Sequence, residues 1–430
     1  MISLGSKLKA TTPSIDITSV KWILVCLALV THFCTFANDD TSSVKVSGFG
    51  TLGFVYNPSG QFDYLRDLQQ ENGAGATRKF DFGVDSLFGL QLSAKPTENL
   101  DTTIQIVSRR AQEGFRPQLT WAFASYTPSE NWTFRGGRLG VDMYLQTDSR
   151  NVAFSYPWVR PPVDFFGSII FSSMDGADFV YRHPLGSSQF KLKFSSGLTN
   201  EQVPTNQAGL HFDLSNSRLV GIYTELQSPH WLTRLSYATF EFNKEFPQFG
   251  ELSAQLQSPQ LTAISPFIGQ IGRDFTFKDK KVHYVSAGVA YDDGPLQAQA
   301  MLSRINSGTL GFASNTAAYL TLTYRIRSWT PYATISFTRP HDFKEPQTGL
   351  PQGLSPQLDY INNLVSYTAH STLSKQNTLT LGVRYSINDT SDIKLQWDHI
   401  NNTYPLLLRK VDPRWNGSGN IFSCAINFIF

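Results

Sequence analysis

Apolar side chains recur at every second position along most of this chain, in segments too long and too numerous for most folds. Phe80, Phe82, Val84, Phe88, Leu90 and Leu92 alternate with Asp81, Gly83, Asp85 and Gln91. Leu320, Leu322, Tyr324 and Ile326 alternate with Thr321, Thr323, Arg325 and Arg327, and Leu379, Leu381, Val383 and Tyr385 with Thr380, Gly382, Arg384 and Ser386. Phe190, Leu192 and Phe194 alternate with Lys191, Lys193 and Ser195. A period of two is that of a β-strand with one apolar and one polar face. A soluble sandwich alternates as well, but its strands are shorter. Composition separates the cases further. Charged residues are 16% of the chain and aromatics 13%, yet mean hydropathy is negative at -0.21. A helical membrane protein needs apolar runs of about twenty residues. A barrel that faces lipid outside and water inside averages to this balance.

Connections between the alternating segments come in two lengths. Short ones carry turn chemistry: Lys95-Pro96-Thr97-Glu98, Pro128-Ser129-Glu130, Pro184-Leu185-Gly186, Ser228-Pro229-His230, Asp292-Asp293-Gly294-Pro295, Arg327-Ser328 and Asn388-Asp389-Thr390-Ser391. Gly, Pro, Asn and Asp supply the backbone angles that tight turns require. Long ones fall between them, near 57–76, 110–117, 140–174, 199–216, 244–280, 307–315, 340–374 and 401–418. Seven turns and eight loops join sixteen strands, with fourteen or eighteen as alternatives set by where boundaries are drawn. The expectation is an all-β fold: a transmembrane antiparallel β-barrel of about sixteen strands, with short turns on one side and long loops on the other. Tyr126, Trp132, Trp231, Tyr291 and Trp329 flank the short turns, where an interfacial aromatic girdle belongs.

The N-terminus reads as an export signal. Lys7, Lys9 and Lys21 precede an apolar run from Ile23 to Phe36, and Thr35-Phe36-Ala37 offers small residues at −3 and −1. Removal of residues 1–37 is expected, leaving 38–430 as the barrel. Cys26 and Cys34 leave with the signal, so Cys424 alone remains and no internal disulfide is available. The mature chain is balanced in charge, which excludes the basic excess of a nucleic-acid-binding protein.

Chemistry-bearing motifs are few. Gly48-x-Gly50-x-x-Gly53 matches a dinucleotide fingerprint but sits in an alternating strand, where glycines mark close packing or a bend. His183, His211, His230, His283, His341, His370 and His399 make no metal-ligand spacing. No cofactor and no catalytic or metal-binding residue is expected, although a serine–histidine pair assembled across strands stays open. The polar faces carry eleven bases, Lys45, Arg109, Arg135, Arg182, Lys191, Lys193, Arg234, Arg325, Arg327, Arg384 and Lys394, against the acids Asp81, Asp85, Asp178, Glu225 and Asp398. Such an excess in a narrow lumen predicts weak anion preference, with balanced charge as the alternative.

The opening strand Val46-Ser47-Gly48-Phe49-Gly50-Thr51-Leu52-Gly53, the segment from Gly137-Arg138-Leu139-Gly140 through Tyr156-Pro157-Trp158-Val159-Arg160-Pro161-Pro162, and the closing Phe428 and Phe430 resemble the Gram-negative outer-membrane porin superfamily. A terminal strand ending in Phe looks like the signal read by the barrel assembly machinery. The resemblance implies an outer-membrane homotrimer, surrounded by lipid and lipopolysaccharide. It would be a water-filled channel for small hydrophilic solutes and not an enzyme, its third loop folded into the pore. Here that loop is 140–174, carrying Asp142, Asp148, Arg150, Arg160 and Asp164. Acid facing base across it would create a transverse field. The acidic Pro-Glu-Phe-type constriction signature of enterobacterial general porins is absent, which bears on selectivity. The rivals are a substrate-selective channel for phosphate, another anion or a nutrient, and a barrel enzyme or structural anchor.

Overall fold

The computed structural model describes residues 44–111, 114–205 and 211–430. The expected signal segment lies outside the described residues. Sixteen long strands form one antiparallel sheet that closes on itself. They are β1 Val44–Tyr56, β2 Leu87–Thr97, β3 Leu100–Ala111, β4 Gly114–Ser129, β5 Trp132–Gly140, β6 Ser173–Leu185, β7 Ser188–Thr199 and β8 Ser217–Gln227. The second half comprises β9 Trp231–Glu241, β10 Lys281–Asp293, β11 Leu296–Ser307, β12 Asn315–Tyr324, β13 Trp329–Pro340, β14 Ser374–Asn388, β15 Ser391–Pro405 and β16 Ser418–Ile429. Each strand pairs with its sequence neighbours, and Phe49–Tyr56 of β1 pairs with Ile429–Phe422 of β16. Closure satisfies the backbone groups of every strand around the ring, which is what a strand-built wall in hydrocarbon requires.

All seven short turns fall where the turn residues place them. Gly186 and Gly294 take the left-handed φ values of 62° and 56° that such two-residue links demand. The wall has two chemically distinct faces. Leu235, Leu302, Ile335 and Leu395 are at least half exposed on the outside, while their neighbours Ser236, Ser303, Thr334 and Gln396 are buried within. The girdle is present and paired: Trp231 packs tilted against Tyr291 with ring centroids 4.6 Å apart, Trp329 against Tyr385 at 4.6 Å and Trp132 against Tyr181 at 4.7 Å.

Three sequence expectations change. The continuous strand read over Phe80–Leu92 is broken, because the chain turns between Phe82 and Ser86. The Asp81 carboxylate accepts the amides of Gly83 and Val84 at 2.6 and 3.1 Å, a local bond that competes with the ladder. The first loop therefore runs to Ser86. The long loop expected at 110–117 is instead a tight hairpin with Ala111 opposite Gly114. The charges there mark contacts with the first loop: Arg109 pairs with Asp67 at 3.0 Å and Arg110 with Asp81 at 2.8 Å.

The third change is that the long loops are not irregular. Residues 242–280 contain α1 Pro247–Leu256, α2 Pro259–Ile264 and α3 Ile268–Asp274, and residues 341–373 contain α4 Pro356–Ser371. Their starts were legible. Proline opens α1, α2 and α4, and Ser355 accepts the Gln357 amide. Leu358, Ile361, Val365 and Ala369 then fall at helical spacing and are buried. These loops, with the third loop, fill the long-loop end of the barrel with one apolar core, including Phe242, Phe246, Phe275 and Phe277.

Candidate functional site: the loop-crossed lumen

The third loop, 141–172, folds into the barrel and is bonded to the inner wall. Pro161 and Pro162 hold the chain extended before a single helical turn at Val163–Phe166. Immediately before them, Trp158 donates its indole N–H to Thr321 and Thr334 at 3.1 and 3.0 Å. The Val159 amide donates to Gln396 at 2.9 Å. From the wall, the Lys394 ammonium donates to the carbonyls of Ala153, Tyr156 and Trp158, which replace its water shell. Asp164 accepts from Ser336 and, at 2.7 Å, from Gln376.

Arg160 is the centre of this attachment. Its guanidinium pairs with Asp85 at 2.6 Å and Asp398 at 3.0 Å and also donates to Ser423, and it is 1% exposed. A first-loop carboxylate, Asp85, a wall carboxylate, Asp398, and one third-loop cation are thus removed from water together, an arrangement stable only while all partners are present. Arg160 and Asp164 therefore do not face each other across water, as a transverse field would need; each grips the wall. Arg150 is likewise used inside the loop, donating to the Tyr144 hydroxyl and the Phe171 carbonyl at 3.0 Å each. Asp148 is exposed.

Below one side of the loop, charges from β5 to β9 form a row. Arg135 makes a two-point contact with Asp178 at 2.9 and 2.6 Å. Lys193 bridges Asp178 and Asp142 at 3.2 and 2.9 Å. Arg234 joins Asp142 at 2.7 Å to Glu225 at 2.8 Å and lies 4.0 Å from the Tyr223 ring centroid. Asp142, from the loop, is the acid shared by two wall cations. The row borders a polar cavity of about 250 Å³ reached also by Asp148, Arg182 and Lys191. Arg182 donates to Thr133 at 2.8 Å and has no ion pair among the described residues.

The excess of base counted along the strands is thus largely offset by acids that the strand pattern did not include. Asp67 and Asp142 come from loops, Asp392 from β15 pairs with Arg384 at 2.9 Å, and Asp292 pairs with Arg325 at 2.7 Å. Arg325 itself lies in the turn after β12, at the rim. Arg384 touches the third loop, 4.6 Å from the Phe154 ring. Trp158, Gln376 and Gln396 were missed as site residues, since nothing local distinguishes a threonine or glutamine that grips a loop from one that faces water.

Phe428 and Phe430 lie on the outer face of β16 with rings 6.5 Å apart, over Gly50 and Gly48 of β1. A side chain at either glycine would occupy the space of the ring above it. Gly48 and Gly50 are therefore packing positions at the barrel seam, and Gly53 makes room for Asp85.

One constellation bears on catalysis. On α4, Ser366 and His370 meet Glu345, with His370 Nε2 3.2 Å from the carboxylate. Ser366 donates to Glu345 at 2.6 Å; its hydroxyl oxygen is 3.4 Å from His370 Nδ1, which makes the shorter contact, 2.8 Å, with the Ser366 carbonyl. This is a helix-surface network; the imidazole is not poised to take the serine proton. No group of three or more His, Cys, Asp or Glu side chains among the described residues could hold a metal ion.

No family model and no curated protein matches the sequence. Solved structures do match in fold. The OmpF of Salmonella typhi in complex with daunomycin has TM-score 0.53 at 10% identity, covering 90% of this chain and 97% of that one. The outer membrane channel DcaP of Acinetobacter baumannii has TM-score 0.53 at 12% identity, with the same two coverages. An anion-selective porin from Comamonas acidovorans has TM-score 0.51 at 11% identity, covering 90% and 99%. The fold of this chain is the porin barrel.

Proposed function

We propose that this porin-fold barrel is an outer-membrane channel that passes small hydrophilic solutes and ions by passive diffusion, with weak anion preference. The observation that carries the reading is the third loop held inside a closed barrel above a charge-lined cavity, within a wall whose outer face is apolar. A narrow lumen with fixed charges on its wall selects ions through the local potential. Pairing of most of these charges makes that selection weak, and its sign rests on the excess of bases on the strand faces, Arg182 included, over Asp101 and Asp148, which share its cavity without an ion pair among the described residues.

The test is single-channel recording of the mature chain in a planar bilayer under a KCl gradient. Long-lived conductance steps are expected. A heat-modifiable barrel that gives no current would overturn the reading in favour of a barrel enzyme or anchor. Asp142→Asn removes the acid shared by Lys193 and Arg234 and should move the reversal potential toward anions, and Arg182→Ala toward cations. Unchanged potentials in both variants would place this row off the conduction path. The same reading includes removal of residues 1–37, so N-terminal sequencing of the exported protein should begin at Asn38. It also includes recognition of Phe428 and Phe430 by the assembly machinery, and a homotrimer in lipid and lipopolysaccharide.

One observation favours a second reading, a substrate-selective channel. The loop above the charged row is fastened at many points, and the space beyond it is apolar.

A further inference from the structure

At the long-loop end, above the third loop, the barrel encloses a second cavity of about 500 Å³. Its floor is the third loop at Met143 and Phe171, its wall is β8–β11 at residues such as Phe240 and Tyr284, and its roof is α1 and α4. Among the described residues, eight phenylalanines line it. Interiors pack with few voids larger than a water molecule, and an unfilled apolar void loses contacts all around its lining. This one has the size and the apolar, aromatic lining of a small-molecule site, about 300–1,000 Å³. It meets solvent at the loop surface, where the lining residue Tyr367 is 74% exposed.

The lining also defines the charge of the occupant. Among the described residues along it, only Glu251 and Arg409 are formally charged. Glu251 is exposed to solvent. Arg409 is buried, and its terminal nitrogens already donate to the carbonyls of Leu68, Pro204, Leu406 and Leu408. Its Nε is buried and has no hydrogen-bond partner among the described residues, but it is one N–H and not the two-point fork. The guanidinium therefore ties three loops together and presents no free fork to a carboxylate or phosphate. Glu251 stays in water, so within the buried part of the lining neither ion sign finds a ready counter-ion, and burying an unpaired charge is costly.

We infer that this vestibule binds a neutral, predominantly apolar small molecule, alkyl or aromatic, taken from the outer side. This goes beyond the diffusion of hydrophilic solutes and does not depend on whether the barrel conducts ions.

The test uses the mature chain in lipid nanodiscs, free of detergent, titrated with the uncharged fluorophore N-phenyl-1-naphthylamine against empty nanodiscs. Saturable binding is expected, with 1-decanol competing at least tenfold better than ionised decanoate. Two variants fill the cavity from opposite sides: Ala238→Trp from the wall and Thr368→Trp from α4, outside the barrel sheet. Each should weaken probe binding at least tenfold in protein that keeps its heat-modifiable gel shift. Absence of saturable binding, or binding unchanged in a folded Thr368→Trp variant, would overturn the site. Decanoate competing better than decanol would overturn the neutral class. Conductance measured on the same preparation reports on the channel reading alone.

Discussion

Arg160→Met should free the third loop from the wall and raise single-channel conductance severalfold while the barrel itself stays folded. The side chain is 1% exposed and is shared by Asp85 and Asp398, themselves buried. Removing one partner of a buried ionic set costs about 3–5 kcal/mol, because the remaining charges are left without compensation. Here two carboxylates would be stranded. The cheapest response is for water to enter and the loop to leave, since the loop is held by side-chain bonds and the wall by its own backbone ladder. The hydrogen bonds of Trp158, Val159 and Asp164 lie within a few residues of Arg160 and would be lost with it. Replacing Asp85 and Asp398 by Asn in the same chain removes the stranded charge and should return conductance toward the starting value. A gel-shifted, folded Arg160→Met barrel with unaltered conductance would show that the loop stays put without its central ion pairs.

The second large effect is at the seam. Gly50→Val, and more strongly Gly48→Val with Gly50→Val, should abolish the heat-modifiable form. Valine is a better strand residue than glycine, so propensity alone predicts stabilisation. The seam reverses the sign. The Phe428 ring lies on Gly50 and the Phe430 ring on Gly48, and the space a side chain would need is already taken. Overpacking costs roughly 1–3 kcal/mol per site. Here it also parts the strands that close the ring, including the Gly48–Phe430 backbone pair at 2.9 and 3.0 Å. Gly136→Val in β5, where the added side chain meets open space, is the control and should leave the gel shift unchanged. Equal behaviour of the Gly50 and Gly136 variants would show that seam packing does not limit assembly.

Both effects turn on contacts across long separations in the chain, and that separates what could be read from the residues alone from what could not. Strand number, the seven turns, the two-faced wall and the girdle were legible, because each is set by residues close in sequence. Alternation assigns the face, turn residues set the reversal, and a hairpin pairs a strand with the next one. The helix starts at Ser258-Pro259 and Ser355-Pro356 carried the same kind of local signal, although the segments read as plain loops.

The site was not legible in this way. Arg160 and Asp164 stood out as charged residues of an inward loop, but charge alone does not say whether a side chain faces water or a counter-ion. Arg160 meets residues 85 and 398, Trp158 meets 321 and 334, and Lys394 meets the carbonyls of 153, 156 and 158. The count of lumen bases changed meaning for the same reason. Loop acids such as Asp142 arrive beside Lys193 and Arg234 only when the loop is inside the barrel. Periodicity along the chain thus determined the wall, whose hydrogen bonds join sequence neighbours. Only the tertiary structure decided what the lumen contains, because a loop threading a closed barrel touches strands from every part of the chain at once.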